Sequence, residues 1–119
     1  MDNGLANVNA VVIVFAMDGC PACEDFMPRF QQQISQFQAY GHPFVYYTLG
    51  MQIPPGQIPV IILDGASQDP SIDEVAKQHA VDALPTTILL RRYNHPAKRE
   101  GAIDDEQIHG LLTAASQAR

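Results

Sequence analysis

A run of seven consecutive apolar residues, Ala10–Ala16, narrows the choice of fold more than any other part of this sequence. A strand with one face in solvent alternates apolar and polar residues, whereas a strand covered on both faces is apolar throughout. The run is also rich in β-branched side chains, which favour strands over helices. It therefore predicts a buried strand of an α/β sheet, with helices packed on both faces of the sheet.

A Cys-x-x-Cys motif follows this strand after a short turn, and Cys20-Pro21-Ala22-Cys23 opens a segment with apolar residues at helical spacing. Pro21 suits the first turn of a helix, and Gly41 offers a left-handed stop. The pattern predicts a helix that starts at the motif and is kinked at Pro28. The apolar positions are Cys23, Phe26, Met27, Phe30, Ile34 and Phe37.

The two cysteines are at a spacing that suits thiol–disulfide exchange. At a helix start, unpaired N–H groups and the helix dipole favour a thiolate, so Cys20 is the candidate nucleophile. Cys23, three residues later, could attack a mixed disulfide and release the reduced substrate. We expect the intervening residues, Pro21 and Ala22, to tune the redox potential of the pair.

A metal site is an alternative use of a cysteine pair. Zinc would need two more ligands, and the histidines of this chain show no paired spacing. We therefore predict that no metal is bound. An inert buried pair and an iron–sulfur cluster shared across a dimer are further alternatives. The four histidines are His42, His79, His95 and His109.

The middle of the chain predicts two further strands, at 44–49 and 60–63, separated by a Pro/Gly-rich stretch. The second segment is the more apolar, and we expect it to be the central strand of the sheet. A short helix should follow around Ser71–His79, with Ser71 or Asp73 as its N-cap. Crossover geometry makes the early strands parallel.

The last third of the chain predicts a hairpin and a helix. Strands Thr86–Arg92 and Lys98–Ala102 would pair in antiparallel fashion across the turn 93–96. Asp104 should cap a final amphipathic helix. With these elements the predicted fold class is α/β: a central mixed sheet with helices on both faces and an extra strand or loop at about residues 42–58.

Composition and charge indicate one domain over residues 1–119. Hydrophobic residues make up 46% of the chain, and charged residues 17%, which is enough apolar material for a core. A net charge of −6 disfavours nucleic acid and membranes as partners. We recognise no export signal, so we expect a cytoplasmic monomer in a reducing compartment. Four bases fall close together, where they would guard an edge strand: Arg91, Arg92, Lys98 and Arg99.

These residues together resemble the thioredoxin superfamily. A buried strand, a Cys-x-x-Cys motif and Pro28 five residues after Cys23 look like the active-site helix of that family. The segment Leu84-Pro85-Thr86-Thr87 resembles its cis-proline motif. The resemblance implies a thioredoxin fold and a cis peptide bond before Pro85. It also implies substrate contacts at Gly19, Leu84, Pro85 and Gly101.

The sequence departs from thioredoxins at two positions near the motif. Gly19 stands where they have a tryptophan, and Val14 stands where they have a buried acid that helps to remove the proton from the resolving cysteine. The Cys-Pro-x-Cys order is similar to that of glutaredoxins. The glutathione-binding segment of those proteins is matched only in part, by Gly101, Asp104 and Asp105.

The sequence and the resemblance lead us to expect a thiol–disulfide oxidoreductase, acting as a dithiol reductant of protein disulfides in electron transport and cell redox homeostasis. It would bind no cofactor beyond the redox-active Cys20–Cys23 disulfide. An external reductant, either thioredoxin reductase or glutathione, would recycle it. One alternative is a glutaredoxin-like, glutathione-dependent reductase. A second is a non-catalytic adaptor that binds a partner through the cis-proline groove and the 42–58 segment.

Overall fold

A computed structural model describes residues 8–47, 52–65 and 70–118, except for the side chains of 70–73. Five strands and three helices lie within these described residues. They are β1 (Ala10–Ala16), α1 (Pro21–Ala39), β2 (Phe44–Tyr46), β3 (Ile58–Asp64), α2 (Pro70–Gln78), β4 (Thr86–Arg91), β5 (Asn94–Glu100) and α3 (Asp105–Ser116).

The strands form one mixed sheet in the order β2-β3-β1-β4-β5. β1 and β2 each run parallel to β3, and β4 is antiparallel to both β1 and β5. The predicted mixed sheet with parallel early strands is therefore confirmed. The expectation that 60–63 is the central strand is wrong, because β1 is central and β3 lies beside it. All of β1 is buried, whereas β3 becomes exposed at Ile62 and Asp64.

Both faces of the sheet carry a hydrophobic cluster, and alternate residues of β1 contribute to each. Helices α1 and α3 pack on one face, and α2 packs on the other through Val75 and Ala76. This arrangement confirms the prediction of helices on both faces. The first cluster includes Val12, Val14, Phe26, Phe30, Ile108 and Leu112. The second includes Val11, Ile13, Phe15, Ile61 and Ile88.

The hairpin differs from the predicted one in the position of its turn. The connection is only Arg92–Tyr93, and β5 already begins at Asn94 instead of at residue 98. Pro96 therefore lies inside the strand. β5 is at the sheet edge, where a residue without an N–H is tolerated because only one side of the strand is paired. β5 ends at Glu100, before the predicted end at 102.

Two further boundaries differ from those predicted. α2 begins at Pro70, so Ser71 and Asp73 lie within the helix and neither is its N-cap. Proline suits the first helical position because its missing N–H would have no helical partner there. β2 ends at Tyr46, one residue before Tyr47, whose N–H still donates to the Val60 carbonyl of β3 at 2.9 Å; residues 48 and 49 of the predicted strand 44–49 lie outside the described residues.

The ends of α1 and α3 follow the prediction. Gly41 has a φ of +89°, and its N–H donates to the Gln38 carbonyl while His42 N–H donates to the Phe37 carbonyl, each at 3.0 Å. These two bonds form a Schellman stop. Asp104 caps α3 in a capping box. Among the described residues, no helix has the length and apolar character needed to cross a membrane.

An ion-pair network holds α1 against the start of α3. The Arg29 guanidinium donates to the Ile103 carbonyl at 2.9 Å, to Asp105 at 3.0 Å and to Asp25 at 2.7 Å. One side chain thus joins α1 to a loop and to a second helix. The network ties the helix that carries the Cys-x-x-Cys motif to the start of α3.

Candidate active site

The cysteine pair lies where the central strand β1 passes into α1. Gly19 adopts a φ of +78°, a conformation that favours glycine, and this allows the chain to turn from the strand into the helix within a few residues. Cys20 is the N-cap of α1, and Pro21 is its first residue. The local sequence therefore places the first cysteine at the helix N-terminus, as predicted.

The two thiols have different surroundings. Both cysteines are unbridged, with Cys20 partly exposed and Cys23 only 2% exposed. The backbone N–H of Cys23 donates to Cys20 Sγ at 3.2 Å. The N–H of the buried cysteine thus contacts the sulfur of the partly exposed one. One sulfur is thus accessible and supported by a donor, and the other lies behind it.

The thiol of Cys23 is held in its protonated form. Burial raises the pKa of Cys23 above its ordinary value, and a hydrogen bond with the Cys20 side chain raises this pKa further. A backbone hydrogen bond at Met17 acts in the opposite direction. Val14 is fully buried in the sheet, so the position where thioredoxins carry a buried acid contributes only packing.

Leu84 and Pro85 lie beside Cys20, although they are far from it in sequence. The Cys20 S–H donates to the Leu84 carbonyl, with Sγ and O 3.8 Å apart. The Leu84–Pro85 peptide bond is cis, as the resemblance implied. Gly101 N–H donates to the Pro85 carbonyl at 2.7 Å and has a φ of +82°. The structure thus links Leu84, Pro85 and Gly101 into one edge next to Cys20.

Gly65 is a positioning residue that the sequence analysis did not identify. Its N–H donates to the Ala16 carbonyl at 2.7 Å at the end of β1. A Cβ built on Gly65 would lie 2.7 Å from Leu84 Cδ1, which is closer than real Cβ contacts come. The absence of a side chain at Gly65 therefore leaves room for Leu84. Only the three-dimensional contact reveals this role, because nothing in the sequence around Asp64-Gly65 marks it.

A surface pocket of about 540 Å³ opens beside the motif. It combines apolar side chains with three carboxylates, and no Lys, Arg or His is among the described residues that line it. We name this pocket the acidic groove. It is lined by Ala16, Met17, Asp18, Cys23, Glu24, Met27, Pro28, Ile62, Leu63 and Asp64. Among the described residues, no group of three or more His, Cys, Asp or Glu side chains is arranged to hold a metal ion.

The site geometry agrees with a comparison to known protein families. The family profile described as "Thioredoxin-like domain" matches residues 3–116 of this chain. The chain belongs to the thioredoxin-like family. The match includes the Cys-x-x-Cys motif, the Leu84–Pro85 edge and the final helix, and it confirms the resemblance inferred from the sequence.

Solved structures from several organisms have the same fold. A thioredoxin mutant from Entamoeba histolytica superposes with a TM-score of 0.63 at 17% identity, covering 93% of this chain and 86% of that chain. Mitochondrial thioredoxin 3 from Saccharomyces cerevisiae, in its oxidised form, gives a TM-score of 0.59 at 20% identity, with 96% and 83% coverage. These likenesses confirm the thioredoxin fold.

A thioredoxin-2 described as a component of the malaria parasite protein secretion machinery is also similar, with a TM-score of 0.58 at 17% identity. It covers 91% of this chain and 92% of that chain. No curated protein sequence matches this thioredoxin-like chain. The family, the fold and the Cys-x-x-Cys pair together support thiol–disulfide oxidoreductase chemistry in general.

Proposed function

We propose that this protein is a dithiol reductant of protein disulfides. The observation that carries the proposal is the asymmetry of the cysteine pair: Cys20 is partly exposed and its Sγ accepts a hydrogen bond from the Cys23 N–H at 3.2 Å, whereas Cys23 is buried. A substrate sulfur can reach only the first of these thiols directly. The second is in position to act after the substrate is attached.

The proposed reaction has two exchange steps. The Cys20 thiolate attacks one sulfur of the substrate disulfide, the substrate S–S bond breaks, and the departing substrate sulfur takes up a proton. The product is a mixed disulfide between Cys20 and the substrate. Cys23 then attacks Cys20 Sγ, the S–S bond between Cys20 and the substrate breaks, and the proton of Cys23 passes to the departing substrate sulfur. This step forms the Cys20–Cys23 disulfide and releases the second substrate thiol, so that two electrons have passed from the protein to the substrate.

The geometry around Cys20 supports binding of the substrate as an extended segment. The Leu84 carbonyl lies 3.8 Å from Cys20 Sγ and contacts it through the thiol hydrogen. When Cys20 is ionised, that hydrogen is absent and the carbonyl is free to accept an N–H from a substrate backbone. Gly19, Leu84, Pro85 and Gly101 are the residues that we propose for substrate contact.

We extend the proposal to the setting of the reaction. We propose a single domain over residues 1–119 that acts as a monomer. We place it in the cytoplasm because a dithiol reductant works in a reducing compartment. An external reductant would return the Cys20–Cys23 disulfide to the dithiol form. Either a reductase or glutathione has the chemistry to do so.

A trapping experiment tests the dithiol mechanism. In Cys23→Ser the second step is removed, so we expect the reduced variant to form a stable mixed disulfide with a model protein disulfide, seen as a one-to-one adduct by mass spectrometry. Cys20→Ser should form no such adduct, because its remaining thiol is buried. An adduct through Cys23 in the second variant would contradict the assigned roles.

The same variants distinguish the other mechanisms. A monothiol enzyme that uses glutathione would keep its turnover in Cys23→Ser, whereas a dithiol reductant would lose it. An adaptor without catalysis would keep its partner binding when both cysteines are replaced by serine. We expect both turnover with glutathione in Cys23→Ser and partner binding by the double variant to be absent.

A further inference from the structure

The acidic groove combines an apolar floor with a position next to the reactive pair. Met17 and Ile62 are large hydrophobic side chains that remain 37% and 40% exposed, and both line this groove. Met27 adds a partly buried apolar side chain. These apolar side chains are grouped in one concave site and are not scattered singly over the surface. Cys23 and Glu24 belong to the lining, so the groove is continuous with the start of α1.

The charged side chains among the described residues of this groove are all acidic. Asp18, Glu24 and Asp64 line it and are exposed, and the part of its lining that the structure describes contains no basic side chain. The pattern fits a ligand that has both an apolar stem and a cationic end. Lysine and arginine side chains have this form, because their methylene groups pack on apolar surface while the charged end stays near solvent.

We propose that the acidic groove receives a Lys or Arg side chain of the substrate protein, carried on the segment next to its reactive cysteine. This inference rests on the proposed reductase function and names its substrate class: disulfides flanked by basic residues. The aliphatic stem lies on Met17 and Ile62, and the cation lies beside the carboxylates of Asp18 and Glu24. Leu84 and Pro85 are not part of the groove lining, so the basic side chain and the substrate backbone have separate contacts.

Other occupants fit the groove less well. The net charge of −6 opposes the approach of nucleic acid or an anionic lipid surface. A metal ion would need converging ligands, and the described residues contain no such cluster. A basic protein segment is attracted by the same charge that repels these other partners, and its attraction is strongest at low ionic strength.

The test uses two matched cystine-linked peptides as substrates, one with Arg beside the cysteine and one with Glu. The reduced protein is mixed with each peptide, and the second-order rate of peptide reduction is measured in a single turnover, so that no recycling partner is needed. At low salt we expect the Arg peptide to react about tenfold faster than the Glu peptide. This ratio should fall toward one as salt screens the charges.

Two double variants separate the groove from the overall charge. Asp18→Asn with Glu24→Gln removes two carboxylates from the groove. Glu74→Gln with Glu106→Gln makes the same change in net charge on the exposed surfaces of α2 and α3. We expect the first variant to lose most of the preference for the Arg peptide and the second to keep it. A change in the redox potential alone would alter both peptide rates equally and leave their ratio unchanged.

The outcomes distinguish this inference from the function on which it rests. Reduction of both peptides at equal rates, or an equal loss of preference in the two double variants, would overturn the groove assignment and leave the reductase function standing. Failure of the reduced wild-type protein to reduce either peptide would overturn both. A preference lost only in the Asp18/Glu24 variant supports the inference.

Discussion

At the scale of single residues, the chemistry of this protein depends on how two identical side chains are made different. Cys20 is an N-cap with a partly exposed sulfur and a backbone N–H donor, and Cys23 is buried three residues later. Burial raises the pKa of Cys23 above its ordinary value, which favours the protonated form of this thiol. The Cys-x-x-Cys spacing alone predicted this difference, because the start of a helix is exposed and its next turn faces the core.

The contact between Gly65 and Leu84 provides a residue-scale prediction. In Gly65→Ala the new methyl group would lie 2.7 Å from Leu84 Cδ1 and must displace it. The Leu84 side chain is partly exposed, which lets its end shift, but it also packs against both hydrophobic clusters, which resist the shift in part. We expect a loss of about 1–2 kcal/mol in the free energy of unfolding. The reduction rate should also fall, because the Leu84 carbonyl contacts Cys20.

Gly110→Ala is the matched control. Gly110 lies within α3, and a Cβ there would meet no atom within 4 Å. We expect this variant to gain stability by up to about 1 kcal/mol, since alanine is the better helix former, and to keep its activity. Chemical denaturation of both variants measures the expected loss of stability in Gly65→Ala and the expected gain in Gly110→Ala. Equal effects at Gly65 and Gly110 would contradict the close contact.

At the scale of secondary structure, the sequence predicted the element types well and some boundaries poorly. The apolar run of β1, the helical spacing of α1 and the cap of α3 depend on local patterns, and each element formed as predicted. The start of β5 depends on the sheet edge, because Pro96 is tolerated in a strand only when one side of the strand is unpaired. That condition is not visible in the sequence of the hairpin.

The candidate site was also predicted only in part. The Cys-x-x-Cys motif and the resemblance to thioredoxins were sufficient to predict Cys20, Cys23 and the Leu84–Pro85 edge. The acidic groove could not be predicted, because Asp64 and Ile62 come from a neighbouring strand and reach the motif only through the parallel pairing of β1 with β3. Such a contact becomes visible only when the register of the two strands is known.

The attachment of α1 to α3 gives a prediction at this scale. Arg29→Ala removes the donors to the Ile103 carbonyl and to two carboxylates. The Arg29 side chain is 27% exposed, so solvent screens part of the interaction, and we expect a loss of about 1–2 kcal/mol in unfolding free energy.

The control for this prediction is Lys77→Ala, at an exposed position of α2. It removes one positive charge outside the network and should change stability by no more than about 0.5 kcal/mol. Thermal unfolding of both variants measures the difference. A loss in Lys77→Ala as large as that in Arg29→Ala would show that net charge, rather than the network, is responsible.

At the scale of the whole molecule, the sheet positions the cysteine pair, and the surface charge acts on the choice of partner. The central strand β1 is buried on both faces and ends at Ala16, a short turn before Cys20, so the motif follows directly from the buried centre of the sheet. The net negative charge and the acidic groove give the protein an electrostatic preference for basic partners. Reducing power must come from the Cys20–Cys23 pair, since the proposed function requires no bound cofactor.

The reduction potential of the Cys20–Cys23 pair tests this central claim most directly. The protein is equilibrated in thiol buffers of defined potential, the free thiols are trapped by alkylation, and the oxidised fraction is read from the mass. We expect a potential near that of thioredoxins, about −270 mV, as a reductant of protein disulfides requires. A potential near about −120 mV would make the protein an oxidant of thiols and contradict the account, as would a pair that forms no disulfide at any potential.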